Sequence, residues 1–265
     1  MGNSPDDQTG SLAKGLRILA AFDEKDAELT VAEISHRAAV SRASVYRLAA
    51  TLEGLGYLRR DGTTYQPSTK VFDLGIAAVE SLELVDHIRP YLDLIAHELP
   101  DATAVNYGVL EGVDIIYLLR LHRNDIITIN LQVGSRVPAY LSSLGKAILA
   151  AMPIEDAEIV IEQMTFKSRT PSTIDTVDLF RRELELTREA GVAVNDEELT
   201  AGLRSVAAPI FLRSHVVGAI GAATLATKAD LDTLRDKYGE VLRSYAERIS
   251  RELPSFAGER GKRQE

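Results

Sequence analysis

Leu12, Leu16, Leu19 and Ala20 fall at the three- and four-residue spacing of one helix face and predict an amphipathic helix over 11–22, with Ser11 as its cap. Thr30-Val-Ala-Glu33 has the form of a capping box, in which a hydroxyl accepts the Glu33 N–H and the Glu33 carboxylate reaches back to the cap. It opens a short helix over 31–38 with Ile34 and Ala38 inward. Ala39-Val40 leaves room only for a tight turn. Ser41 then caps a third helix reaching about Leu55, with Val45, Leu48, Leu52 and Leu55 on its buried face. Two helices joined by so short a turn form a helix-turn-helix unit. Gly56 stands where a helix end favours positive φ. Two β-prone runs, 57–60 and 63–66, flank Asp61-Gly62, a type I′ hairpin signal. The succession predicts a winged helix-turn-helix over 11–70, preceded by a disordered tail over 1–10.

The pattern then changes. Val71, Leu74 and Ala78 share one stripe and Ile88, Leu92, Ile95 and Leu99 another, with Pro90 starting or kinking the second helix. This predicts a helical linker over 71–87. Strand-like runs follow at 103–110, 114–121 and 126–133, with a hairpin turn at Glu111-Gly112. A helix over 143–151 is capped by Ser142 or Ser143. Another over 175–190 ends at Gly191. Apolar β-rich runs at 205–212 and 216–225 lead into a long helix over 230–253 and a tail over 254–265. Strands between helices, without regular alternation, predict an α+β second domain over 88–253.

Composition narrows the classes. The chain has 265 residues, 45% hydrophobic and 26% charged, with no Cys and no Trp. That balance is globular, and the missing Cys excludes a disulfide framework, a thiol nucleophile and Cys-ligated metal. The polar start resembles no signal peptide and no apolar run reaches the ~20 residues of a membrane helix, so a soluble cytoplasmic protein without a membrane partner is expected. Residues 1–70 balance nine Lys+Arg against nine Asp+Glu, so the whole net charge of −9 falls on 71–265. Between Thr30 and Lys70 there are six basic residues and three acidic ones, a local attraction for a polyanion in an acidic protein.

The side chains left over from packing carry the chemistry. Ser41, Arg42, Ser44, Tyr46 and Arg47 cluster in the first half of the third helix, the half that such units place against base edges in the major groove. Arg pairs bidentately with guanine and Ser bonds bases or phosphates. Arg59 and Arg60 on the wing are placed for phosphates or a minor groove. The blander alternatives are that Ser41 only caps, Tyr46 packs on the first helix and Arg60 pairs with Asp61. In the second domain, Ser142 and Ser143 offer hydroxyls at a helix N-terminus, where backbone N–H groups favour a carboxylate. Arg136 lies near in sequence and adds charge-assisted bonds.

Ser11-Leu-Ala-Lys-Gly-Leu-Arg-Ile-Leu19, Leu29-Thr-Val-Ala-Glu-Ile34, Val40-Ser-Arg-Ala-Ser-Val-Tyr-Arg-Leu48 and Thr51-Leu-Glu-Gly-Leu-Gly-Tyr-Leu58 resemble the N-terminal domain of the IclR family of bacterial transcriptional regulators. Val133-Gly-Ser-Arg-Val-Pro138, Ser143-Leu-Gly-Lys-Ala-Ile-Leu-Ala150, Arg169-Thr-Pro-Ser-Thr173, Ala190-Gly-Val-Ala-Val194 and Gly202-Leu-Arg-Ser-Val-Ala-Ala-Pro209 resemble that family's effector domain, in order. Pro138-Ala-Tyr140 with Ser142-Ser-Leu-Gly145 looks like the subgroup controlling protocatechuate, p-hydroxybenzoate and β-ketoadipate catabolism. Departures from that subgroup fall at Ser142-Ser-Leu-Gly-Lys146, Asn195 and Ser205.

The resemblance implies a GAF-like effector domain and a homodimer or homotetramer, with the first helix and linker contributing to dimerisation. It implies a palindromic double-stranded operator, a small organic acid as effector and RNA polymerase as a further partner. It maps effector contacts onto Ser143, Leu144, Asn195, Leu203, Ser205, Gly221 and Ala223, the last two leaving room for ligand. Alternatively the serines cap, Leu203 fills core and Gly221 serves a close strand contact. Ser143-Leu-Gly-Lys146 also fits the S-x-x-K form of acyl-transfer enzymes, but its companion motifs are missing. A ligand-independent DNA binder is the other alternative. The five histidines show no metal spacing and read as surface or capping residues, and no cofactor-binding glycine pattern occurs.

Overall fold

The computed structural model describes residues 5–23, 26–71, 83–122 and 131–259. The chain divides into two compact units, Met1–Ser81 and Leu82–Glu265. The expected linker over 71–87 lies largely outside the described residues.

In the first unit, α1 (Pro5–Leu19) is followed by β1 (Leu29–Thr30), α2 (Val31–Arg37), α3 (Arg42–Gly54), β2 (Leu58–Asp61) and β3 (Thr64–Pro67). The helix begins at Pro5, within the segment expected as a disordered tail. Proline is a favourable first helical residue because the N–H it lacks would be unsatisfied there. The capping box is present: Thr30 Oγ1 accepts the Glu33 N–H at 3.3 Å and Glu33 accepts the Thr30 N–H at 2.8 Å. The turn between α2 and α3 puts Ala39 at φ +50°, a conformation costing roughly 1 kcal/mol for an L-residue. Ser35 Oγ braces it by donating to the Val40 carbonyl at 2.7 Å. Ile18, Ile34, Val45, Ala49, Leu58 and Tyr65 meet in the core. Leu55, expected inward, is exposed because α3 ends at Gly54.

β3 pairs with both β1 and β2 to make the wing. Asp61 pairs with Thr64, so the hairpin loop is Gly62-Thr63, one residue later than expected. Only Gly62 has positive φ, whereas a type I′ turn needs it at both positions.

The second unit begins with α4 (Glu83–Glu98), which runs through Pro90 and across the expected border at 87/88. A six-stranded antiparallel sheet follows, in the order β6-β5-β4-β9-β8-β7. Its strands are β4 (Ala104–Glu111), β5 (Asp114–His122), β6 (Arg136–Pro138), β7 (Ala193–Asp196), β8 (Leu203–Leu212) and β9 (His215–Leu225). Of the expected strand 126–133, residues 126–130 lie outside the described residues and 131–133 form none. Between β6 and β7 come α5 (Ser143–Ala151), α6 (Ile154–Ile161) and α7 (Val177–Ala190), the last closed by Gly191 at φ +71°. The chain ends with α8 (Leu231–Thr233), a π turn over Leu234–Tyr238 and α9 (Gly239–Glu259). Helix thus continues into the segment expected as a tail.

β4 is buried on both faces from Ala104 to Gly108, which requires a layer on each side. α5 covers one face, with Ile115, Tyr117, Ala207 and Ala219 beneath it. α4 packs on β4 and β5, and α9 on β8 and β9. Gly145 lets α5 sit down: a Cβ there would lie 2.2 Å from the Ala139 carbonyl oxygen. The expected α+β class describes this architecture.

Candidate functional site

The first unit presents its polar residues at the opening of α3. Ser41 accepts the Ser44 N–H at 3.4 Å, and the two hydroxyls lie 3.0 Å apart. Arg42, Tyr46 and Arg47 are exposed, Tyr46 by 57%. The guanidinium groups of Arg42 and Arg47 make no hydrogen bond or ion pair among the described residues. The wing arginines are tethered and still exposed. Arg59 donates to Gln66 Oε1 at 2.6 Å, and Arg60 donates to the Gly62 carbonyl at 3.0 Å while lying over the Tyr65 ring. Arg60 therefore braces the hairpin and does not pair with Asp61. An exposed helix N-terminus, two free guanidinium groups and a basic wing form a surface suited to phosphates and base edges.

The second unit holds a chamber of about 50 Å3 between the sheet and the start of α5. Ser142, Ser143, Leu144, Asn195, Leu203, Ser205, Gly221 and Ala223 all line it. Strand register explains why. Antiparallel partners share a face, and one cross-strand row joins Arg120, Asn106, Gly221 and Ala207. The next joins His122, Ala104, Ala223, Ser205 and Asn195. All residues of these rows except Ala104 and Ala207 line the chamber and form its floor.

The expected residues differ in what they have left to offer. Ser142 stands at the helix start without a side-chain cap bond, so the capping alternative fails for its hydroxyl. Ser143 and Ser205 share a hydrogen bond of 2.8 Å. Asn195 is a bracket: its amide donates to the Leu141 carbonyl at 2.9 Å and accepts the Glu198 N–H at 3.3 Å. Gly221 makes the close strand contact anticipated for it, since a Cβ would sit 3.0 Å from the Val206 carbonyl oxygen of β8, and equally close to a Leu144 methyl of α5. Arg136 is displaced from the site. It lies on β6, half exposed, paired with Glu111 at 3.1 Å, because a three-residue strand turned its side chain to solvent.

Arg120, Asn106, His122, Tyr117 and Thr103 also line the chamber and were not anticipated. Arg120 donates to Asn106 Oδ1 at 2.8 Å and contacts His122 Nε2 at 2.9 Å, while its buried Nε has no hydrogen-bond partner among the described residues. Burial lowers its pKa from the ordinary arginine value. The available signal was one arginine inside the apolar run Ile115–Leu121. His122 is therefore a lining residue and not merely a surface one.

Behind the chamber, fully buried Lys146 donates to Glu198 at 2.6 Å, to Glu183 at 3.2 Å and to the Val194 carbonyl at 3.1 Å. Its three hydrogens are thus committed, and Ser143 is bonded to Ser205. The acyl-transfer pairing of Ser143 with Lys146 does not form. Burial raises the Glu198 pKa despite the Lys146 charge, and one of its oxygens has no hydrogen-bond partner among the described residues. Among the described residues there is no cluster fit to hold a metal ion and no helix long and apolar enough to cross a membrane.

Residues 11–62 match the family described as the IclR helix-turn-helix domain, and residues 76–251 match that described as the bacterial transcriptional regulator IclR C-terminal. The chain is 38% identical over 240 residues to the Pca regulon regulatory protein of Pseudomonas putida, covering 90% of this chain and 81% of that one. It is 25% identical over 252 residues to the p-hydroxybenzoate hydroxylase transcriptional activator of Acinetobacter baylyi, covering 92% of each. The structure of an IclR family transcriptional regulator from Brucella abortus superposes with a TM-score of 0.80 at 26% identity, covering 96% of this chain and 97% of that one.

Proposed function

The chain belongs to the IclR family of bacterial transcriptional regulators, and on that premise we propose that its effector is a small organic acid whose carboxylate is held by Arg120 in the chamber under α5. It is a DNA-binding regulator with a small-molecule effector domain. The observation that carries the assignment of the acid is the Nε of Arg120, buried in the chamber wall and without a hydrogen-bond partner among the described residues. A buried guanidinium N–H with no acceptor is costly until an anion arrives. The Ser142 hydroxyl and the N-terminus of α5 favour the same charge. At about 50 Å3 the chamber is roughly a third of a cavity that accepts benzene. An acid of a few carbons fits as it stands, and a ring acid requires a wall to move.

The relatives named for the Pca regulon and for p-hydroxybenzoate hydroxylase support a role in aromatic-acid breakdown. On the DNA side, Ser41, Arg42, Ser44, Tyr46 and Arg47 contact the operator's major groove, and Arg59 and Arg60 its backbone. Exposed Leu12 and Leu16 on α1, at 69% and 59%, support a homodimer on a palindromic operator.

Titration of aromatic and dicarboxylic acids into the full-length protein, with and without operator DNA, tests this. Arg120→Ala is expected to weaken acid binding by about 1.5–3 kcal/mol and to leave acid-free operator affinity unchanged. An acid bound equally well by Arg120→Ala removes the assignment.

A further inference from the structure

We infer that the second unit carries another ligand site, an open groove of about 800 Å3 that takes a carboxylate attached to an apolar body of ring size or larger. The groove lies between the C-terminal half of α5, the end of α7, the far end of β8 and α9. Ala150, Ala151, Pro209, Phe211 and Ala246 supply apolar lining. It shares no lining residue with the chamber.

The groove exists because β7 is short. It pairs with β8 only from Ala207 to Arg204, so among the described residues β8 beyond Ala207 has no strand along its outer edge. That edge is closed to an added strand. Residue 209 is a proline without an N–H, and the Phe211 N–H is taken by Ser250 Oγ at 2.9 Å. An extended peptide therefore finds few main-chain partners, and the groove suits a compact apolar body. Its volume lies in the range of small-molecule sites, roughly 300–1,000 Å3.

The rim selects the charge. Arg188, Arg243 and Arg251 border the groove against one acidic residue, Glu247, in a chain of net charge −9. Arg188 Nε donates to the Ala150 carbonyl at 2.9 Å, and one Arg243 nitrogen donates to the Ala190 carbonyl at 3.2 Å. Each is anchored at a helix end with further donors in its fork. Arg251 has no hydrogen bond or ion pair among the described residues. A carboxylate matches such forks bidentately. Helix α5 joins the two sites: Ser143 and Leu144 line the chamber, while Ala147, Ala150 and Ala151 line the groove. A groove ligand that shifts α5 alters chamber affinity, and the reverse coupling is equal.

Calorimetric titration of the full-length protein with benzoate, octanoate and neutral benzyl alcohol tests the site. Benzoate is expected to bind at least tenfold more tightly than benzyl alcohol. Arg188→Ala/Arg251→Ala is expected to weaken benzoate at least tenfold, as is Ala151→Leu, which narrows the groove, while Arg120→Ala retains binding. Loss confined to Arg120→Ala places benzoate in the chamber and overturns the groove assignment alone. Binding untouched by both groove variants, or neither acid binding to the wild type, overturns it too. So does self-association abolished by the groove variants without acid binding, which makes the groove a surface between copies.

Discussion

The two units use charge in opposite ways. At the opening of α3, the exposed guanidinium groups of Arg42 and Arg47 have no hydrogen-bond or ion-pair partner among the described residues. Around α5, Lys146 is fully buried and all its hydrogens are committed, and Arg120 is held by Asn106 and His122. Exposed cations keep their hydration until a polyanion releases its counterions, so the reading head binds on contact and responds to salt. Buried cations have already lost water, so their protein partners determine whether the fold survives their removal. Arg42 and Arg47 are thus dispensable for folding, and Lys146 is not.

The sharpest way to break this contrast is Lys146→Met. It leaves Glu198 buried without its cation and is expected to destabilise the second unit by about 3–5 kcal/mol in urea denaturation. Adding Glu198→Leu is expected to recover most of the loss, since an unpaired charge is the cause. A loss below about 1 kcal/mol in the single variant means the cluster is not desolvated as its burial indicates.

Arg42→Ala and Arg47→Ala test the other half. Each is expected to cost about 1–3 kcal/mol in operator affinity at matched salt, with thermal stability unchanged. A base contact loses specificity at one operator position, whereas a phosphate contact weakens all sequences alike and reduces the salt slope by about one. Fluorescence anisotropy on operator and scrambled duplexes over a salt series separates the two. Unchanged affinity in both variants removes α3 from the interface.

The same contrast explains what was legible in the sequence. The head is built from contacts close along the chain: Thr30 with Glu33, Ser41 with Ser44, and the hairpin between β2 and β3. Spacing alone exposes such pairs. What it missed there was fine, such as Leu55 facing outward and the one-residue shift of the hairpin loop. The chamber joins residues on β4, β5, β7, β8 and β9, and its floor depends on a six-stranded register that no local pattern reveals. Family resemblance located seven lining residues, because it carries the register implicitly. Physical reading of sequence proximity chose Arg136 and missed Arg120, since nearness along the chain says nothing about which way a side chain on a three-residue edge strand points. Arg120 was the less local and more informative choice, a cation in a run otherwise apolar.

A smaller effect is expected at the head's capping box. Thr30→Ala removes the hydroxyl that accepts the Glu33 N–H and is expected to destabilise α2 by about 1 kcal/mol. Operator affinity then falls only as far as the folded fraction does. A Thr30→Ser variant is expected to retain nearly all of the stability, and thermal denaturation followed by circular dichroism compares the three proteins. An Ala variant as stable as the wild type leaves tertiary packing of Val31 and Ile34 as sufficient to start the helix.

The smallest expected effect separates sequence neighbourhood from spatial neighbourhood. Arg136 and Glu111 form an ion pair at 3.1 Å with side chains 51% and 63% exposed. Water screens such a pair, and its contribution to stability is about 0–1 kcal/mol. Arg136→Ala is therefore expected to change acid binding by less than twofold, in contrast to Arg120→Ala, although both remove one guanidinium from the same sheet. β6 pairs with β5 at Asp114–Ile116, whereas Arg120 sits further along β5, opposite Asn106. Titrating one acid into both variants under identical salt gives the comparison directly. A loss in Arg136→Ala as large as that in Arg120→Ala requires β6 to turn inward when ligand binds, and the chamber floor would then be built from the opposite end of the β5 strand.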